Sequence, residues 1–166
     1  MNFDQPKIKI HKTNFEKIFD AIALLVLLAC VVYLFANWSS IPAQVPTHFN
    51  AAGDPDGWSG KGSIWLLPAI GLLIWAGLGV LERYPHVYNH LVKITDENAE
   101  RQYKNAVLMI NFMKNSILIL FMFIVYQSIE VALKAAEGLG GGFIFVFIGV
   151  IFGNLFFFLI RSWRLQ

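Results

Sequence analysis

Apolar and polar residues are sorted along this chain into long uncharged runs joined by short polar connections, rather than interleaved with the period of an amphipathic soluble domain. No acidic or basic residue occurs from Ala21 to Gly53, and Ala21 to Trp38 is apolar apart from Asn37. At 1.5 Å per residue that stretch covers about 27 Å, close to the thickness of bilayer hydrocarbon. A second run, Gly62 to Leu81, closes at Glu82 and Arg83 and is expected to kink near Pro68. The third extends from Ala106 to Ile129 with Lys114 as its one charge, and the Phe-rich fourth, Leu139 to Ile160, stops at Arg161. The pattern predicts a single domain over 1–166: a lead-in at 1–17, then spans at about 18–38, 62–82, 105–130 and 142–161. The expected fold class is an all-α integral membrane protein, a four-transmembrane-helix bundle with a structured extracytoplasmic loop between helices 1 and 2.

Composition agrees. Of 166 residues 57% are apolar and 14% charged, with a mean hydropathy of +0.57, which excludes a disordered chain, a nucleic-acid-binding tail and an ordinary cytosolic enzyme. The bilayer is the first partner to expect, and nucleic acid is not one. A net charge of +2 says little by itself, but its distribution is informative. Lys7, Lys9, Lys12 and Lys17 precede span one, Arg83, Lys93, Arg101 and Lys104 separate spans two and three, and Arg161 and Arg164 follow span four. The other connections hold only Lys61 and Lys134, so a multi-pass orientation with both termini cytoplasmic is expected. The lone Cys30 excludes an internal disulfide; because the apolar run continues through Val31 to Phe35, it reads as a small hydrophobe and not as a lipoprotein processing site.

Local signals refine the ends. Thr95 followed by Asp96 and Glu97 reads as an N-cap of helix three, with ion pairs expected for Glu97 with Arg101 and Glu100 with Lys104, and the helix is expected to run on toward Glu137. Ile8, Ile10, Phe15 and Ile18 among four lysines suit either a segment lying on the anionic inner leaflet or a short solvated lead-in. His86 and His90 stand four apart, but with Pro85 beside them and no third ligand near they read as interfacial side chains.

Within the membrane, Asn111, Lys114 and Asn115 fall on one face of helix three, where lipid would be a costly neighbour. Asn154 on helix four lies at a similar depth. A Lys114 to Asn154 contact is expected, with Asp20 as counter-ion; the alternative is that Lys114 snorkels to the inner surface. Gly149 and Gly153 permit close approach of another helix, from this chain or a second copy, so a homo-oligomer stays open.

The segment Ile41 to Lys61 is long for a helix connection and chemically specific. Asp54-Pro55-Asp56-Gly57 matches a type I turn. His48 and Asn50, with Asp54, Asp56 and Lys61, gather an imidazole, an amide, carboxylates and a cation. Two readings stand: these side chains cross-link the loop to itself, or they contact a ligand. For the second, the binding residues are His48, Asn50, Gly53, Asp56, Gly57, Trp58 and Lys61. The spacing of His48, Asp54 and Asp56 matches no standard metal site, and no metal or other cofactor is expected. Trp38, Trp58 and Trp65 read as an interfacial belt or as a surface for an amphipathic peptide.

The run Val45-Pro-Thr-His-Phe-Asn50, with Gly53, Pro55-Asp-Gly-Trp58 and Lys61, resembles a bacterial family of uncharacterised membrane domains shared with the N-terminal part of SdpI-type toxin immunity proteins. A second block, Tyr84-Pro85 with Asn89 and Ile94 to Tyr103, is similar to that family's cytoplasmic connection, and the likeness covers roughly residues 15–130. It implies a bacterial cell membrane and a non-enzymatic binding or protective role against a secreted peptide toxin. It also implies an extracytoplasmic peptide as ligand and a cytoplasmic or membrane protein as further partner. The family's larger members carry a second membrane domain, which this sequence does not continue into, so fold transfers more safely than activity. Other classes to weigh are a membrane-embedded enzyme using His48 as general base and a transporter subunit using the Lys114 face. No catalytic residue is assigned.

Overall fold

A computed structural model describes residues 5–166; the first four residues of the lead-in lie outside the described residues. The order of elements is α1 (Asn14–Asn37), β1 (Gln44–Phe49), β2 (Pro55–Gly60), a 3-10 turn (Lys61–Trp65), α2 (Leu66–Leu81), a short 3-10 turn (Pro85–Val87), α3 (Ala99–Ala132) and α4 (Phe143–Arg164). Four helical stretches are long and apolar enough to cross a membrane, with mean hydropathies of 2.7, 2.2, 2.0 and 2.7 in chain order. The four-span architecture expected from the sequence is therefore the one observed, with a two-stranded antiparallel hairpin between helices 1 and 2.

α3 is the hub. α1, α2 and α4 each pack against it, and it carries most of the buried positions of the bundle. Leu34 of α1 and Leu118, Met122, Val125 and Ile129 of α3 form the core, which Val45 of the hairpin joins from the end. At 34 residues α3 is about 51 Å long, well beyond the hydrocarbon thickness, so its first turns project past the apolar layer. There Arg101 and Gln102 donate to the Leu165 carbonyl, at 2.8 and 2.9 Å, closing the carbonyl end of α4.

Several boundaries differ from expectation. α1 begins at Asn14 rather than near residue 18, because Thr13 and Glu16 form a capping box: the Thr13 hydroxyl accepts from the Glu16 N–H at 3.3 Å and Glu16 accepts from the Thr13 N–H at 2.7 Å. α3 starts at Ala99, three residues after the Asp96 that Thr95 was expected to introduce. Asn98 intervenes, accepting from the Thr95 N–H at 2.9 Å and holding residues 95–98 as a turn. At the far end α3 stops at Ala132 instead of Glu137, where Lys134 turns to a left-handed φ of +61°. Pro68 is only the third residue of α2, so the break in span two falls earlier, at the switch from 3-10 to α-helix at Trp65.

The lead-in folds back onto the bundle. Tyr103 donates to the Pro6 carbonyl at 3.0 Å, and Gln5 donates to the Tyr88 carbonyl at 3.4 Å. The described lead-in, the C-terminal turn of α4 and the α2–α3 connection thus gather at one end, and the hairpin meets the α3–α4 connection at the other.

Candidate functional site

Two polar assemblies stand out, one at each end. The first lies between α1, α2 and α3 at the end of the bundle that holds the lead-in, termed the inner end, the hairpin end being the outer. Lys114 is 1% exposed, and its ammonium lies 2.9 Å from Asp20 and 3.2 Å from Glu82, whose side chain is 2% exposed. Lys12 approaches the same carboxylates from the lead-in, at 2.5 Å from Asp20 and 2.6 Å from Glu82. Two cations thus face two carboxylates, and amides complete the network. Asn111 donates to Asp20 at 2.8 Å and to Glu82 at 3.1 Å, while Asn115 donates to Asp20 at 2.8 Å. Trp75 donates to Asn115 at 2.7 Å and lays its ring 4.4 Å from the Lys114 ammonium. Burial alone would lower the Lys12 pKa, but its bonds to Asp20 and Glu82 outweigh that and hold it above its ordinary value.

Asn111, Lys114 and Asn115 thus share one polar face as expected, and Asp20 is the counter-ion. Asn154 does not join them: its amide lies 3.4 Å from the Met109 carbonyl and 3.9 Å from the Met113 sulfur. The reason is helical phase. With about 3.6 residues per turn, Met113 and Met109 point roughly 100° and 140° around α3 from Lys114, so matching depth alone does not bring α4 to the charge. Glu82, which reads in the sequence as no more than the close of span two, is the missed partner; its signal is a buried lysine that needs more than one carboxylate.

The second assembly is the hairpin. Its turn is at Asn50–Gly53, not at Asp54–Gly57, because the Asn50 side-chain carbonyl accepts from the Ala52 and Asp54 N–H groups at 2.9 and 3.0 Å. Gly53 then takes a φ of +90°, and Asp56 and Gly57 lie within β2. His48 pairs with Gly57 across the strands, where a Cβ on Gly57 would come within 2.9 Å of the His48 Cβ. The imidazole Nδ1 lies 2.5 Å from Asp56. Both remain open to solvent, with side chains 72% and 45% exposed, and Trp58 is exposed beside them.

The tip and the base of the hairpin are each anchored. Leu139 donates to the Gly53 carbonyl at 2.8 Å, and a Cβ on Gly138 would lie 2.2 Å from that same oxygen, so the tip sits backbone to backbone on the glycine-rich α3–α4 connection. At the base, the Lys61 ammonium donates to the carbonyls of Trp38 and Ile41 and lies 4.3 Å from the Trp38 ring centroid. Lys61 is thereby the cation closing the carbonyl end of α1. Beneath the strands lies a cavity of about 350 Å³, lined by Thr47, Ser59, Ser63 and Ser128 among apolar residues and by no charged residue.

Residues 25–72 match the family model described as a domain of unknown function, DUF1648. The DUF1648 stretch takes in most of α1, the whole hairpin and the start of α2, and so holds every predicted loop residue from His48 to Lys61. It stops before the Tyr84 to Tyr103 block and before Glu82 and Lys114. Neither a curated protein nor a solved structure matches the chain.

The remaining predicted features settle individually. Glu100 and Lys104 pair at 2.6 Å, while Arg101 turns to the Leu165 carbonyl rather than to Glu97. Cys30 is buried and lies 3.6 Å from the Met122 carbonyl. His86 and His90 are engaged apart: His86 meets the edge of the Tyr84 ring at 6.3 Å, and His90 lies 3.0 Å from the Pro85 carbonyl. A Cβ at Gly149 or Gly153 would meet nothing within 4 Å, so that pair faces none of the chain's own helices.

Proposed function

We propose that this chain is a non-enzymatic multi-pass membrane protein that displays the hairpin to the outside and there recognises an extracytoplasmic ligand. The observation that carries the reading is the contrast inside the hairpin. Asn50, Gly53 and Lys61 are used up in holding it, whereas His48, Asp56 and Trp58 stay exposed on a fixed frame. Of the predicted ligand residues, the first group positions and the second contacts. A fixed frame carrying an aromatic and a hydrogen-bonded imidazole–carboxylate pair lowers the ordering cost of binding. The uncharged cavity below, lined in part by Thr and Ser residues, adds space for an inserted side chain. The Lys and Arg distribution supports cytoplasmic termini and an outward hairpin. Resemblance to toxin immunity proteins makes a secreted peptide the favoured ligand and protection of the cell the favoured role.

The test compares cells carrying the wild-type chain with cells carrying His48→Ala/Trp58→Ala at equal membrane levels, challenged with the source organism's secreted peptide fraction. Survival is expected to fall to that of cells lacking the chain; unchanged survival refutes the protective reading. Labelling of His48→Cys by a membrane-impermeant maleimide checks the side, and labelling only after the cells are broken refutes the orientation.

A second reading, a subunit for ion or proton movement, draws on the Lys12, Asp20, Glu82 and Lys114 cluster, since ionisable groups inside a bundle commonly mark pathways. Against it stands the closure of the network, in which each carboxylate already meets two ammonium groups.

A further inference from the structure

At the inner end, on the side of α3 away from the ionic cluster, lies a cavity of about 360 Å³ outside the DUF1648 stretch and independent of the hairpin. Leu81 closes it from α2, His90 and Leu91 from the connection, Asn105 and Met109 from α3, and Phe158 from α4. Its size is at the lower end for small-ligand sites, which span about 300–1,000 Å³. Its wall is largely apolar, and no acidic, lysine or arginine side chain lines it. It sits in the angle between α2 and α4, which both pack on α3 and share no packed interface with each other, so its apolar wall runs on toward the bilayer.

Of the polar side chains in this wall, Asn89 is exposed and can both donate and accept, whereas Asn105 and His90 present acceptors. Asn105 is 3% exposed; its amide N–H donates to the Phe158 carbonyl at 3.0 Å, and its side-chain oxygen, fully buried, has no donor among the described residues. Such an acceptor is costly to leave unmet. The Tyr88 and Ser162 hydroxyls are committed elsewhere, donating at 2.7 Å to the Leu81 carbonyl and at 2.7 Å to Gln102. His90 lies between the rings of Tyr88 and Tyr103, at centroid distances of 5.9 and 5.3 Å. Its Nε2 faces the Pro85 carbonyl, which only accepts, so in the neutral ring Nε2 carries the proton and Nδ1 is a second acceptor; burial, which lowers the ring's pKa, favours that form. A charged ligand would meet no counter-charge here, whereas hydroxyl donors would meet two acceptors.

We propose that this cavity binds an uncharged amphiphile with a glycerol-type diol, of the monoacylglycerol class, its hydroxyls donating to Asn105 and His90 and its chain leaving between α2 and α4 into the inner leaflet. The test titrates the detergent-purified full chain with monodecanoylglycerol, its dimethyl ether, decanoate and glycerol, reading binding by native mass spectrometry. Monodecanoylglycerol is expected to bind one to one, the dimethyl ether at least about tenfold more weakly because both donors are gone, and decanoate and glycerol not measurably. Ala106 lies in the α3 wall of the cavity, so Ala106→Phe fills it and is expected to abolish binding. His90→Phe keeps an aromatic ring in the stack, removes the nitrogen acceptor together with the bond to the Pro85 carbonyl, and is expected to weaken binding about tenfold when compared at a temperature where both proteins are folded. Equal binding of the dimethyl ether, or undiminished binding in both variants, overturns the proposal. So does tight binding of glycerol alone, which would assign the site to a free polyol, and so does no binding of monodecanoylglycerol, which would leave the Asn105 oxygen to water. Hairpin function is unaffected by any of these results.

Discussion

The two ends of this bundle handle polar side chains in opposite ways. At the inner end, two ammonium groups and two carboxylates are withdrawn from solvent and answered by one another and by amides, so the assembly is close to neutral. At the outer end, the backbone does the anchoring, through the Asn50 turn, the Gly53 to Leu139 bond and the Lys61 bonds, and the titratable pair His48 and Asp56 is left in water. Burial requires every charge to have a partner, so a cluster of that kind is suited to holding three helices and a lead-in together. Exposure removes that requirement and leaves side chains available for contact. The same residue types therefore serve cohesion at one end and, in the proposed reading, recognition at the other.

The largest expected effect comes from breaking the inner cluster by one charge. Lys114→Met leaves Asp20 and Glu82 facing only Lys12 and is expected to destabilise the protein by about 3–5 kcal/mol, read as thermal unfolding in detergent. Adding Glu82→Gln restores charge balance between Lys12 and Asp20, and most of the loss is expected to return. Should the single variant melt like the wild type, the cluster is not what joins the helices. At the outer end, Gly53→Val meets a φ of +90° and a carbonyl 2.7 Å from the new Cβ, and is expected to cost about 1–3 kcal/mol. That loss should appear as faster proteolysis of the hairpin, with the helices remaining folded.

The legibility of these two ends in the sequence differs for physical reasons. Runs of twenty apolar residues are imposed by the bilayer, so all four spans could be read directly. The polar face of α3 follows from helical spacing, and so does Asp20 as a counter-ion at the inner end of α1. Glu82 and Lys12 could not be read, because their role depends on how α2 and the lead-in close over Lys114. Asn154 misled because depth was compared without phase. In the loop, the residues were recognised but their grouping was not: Asn50 claims two backbone N–H groups through one side-chain oxygen and moves the turn ahead of Asp54. The seat for its tip, Gly138 to Gly141, is about 85 residues away in sequence and carries only the signature of a flexible connection.

Smaller effects sharpen the comparison. Asn50→Ala removes the acceptor for two N–H groups and is expected to cost about 1–2 kcal/mol, visible as accelerated amide exchange at Ala52 and Asp54. Acid should act on the inner end through His90. Its pKa is lowered by burial from the ordinary 6.5, so below that value the unfolded chain takes up a proton that the folded chain refuses. Stability is therefore expected to decline as pH falls from 6.5 toward the folded value, and His90→Phe should remove that part of the slope. An identical slope in the variant would place the sensitivity elsewhere.

The smallest stability effect is expected at His48, the residue that the proposed function needs most. Its side chain is 72% exposed and its one side-chain partner among the described residues is Asp56, itself half in solvent. Surface substitutions of this kind stay within about 0.5 kcal/mol, so His48→Ala should melt with the wild type. Gly57 opposite carries no side chain that could fill the space, and the turn is held by Asn50 rather than by the imidazole. If His48 only cross-linked the strands, the variant would loosen the hairpin and quicken proteolysis there, as Gly53→Val does. If it is a contact residue, proteolysis stays at the wild-type rate while cell survival in the peptide challenge falls. Measuring both on one preparation separates the two roles, because a single side chain cannot be dispensable to the frame and still loosen it.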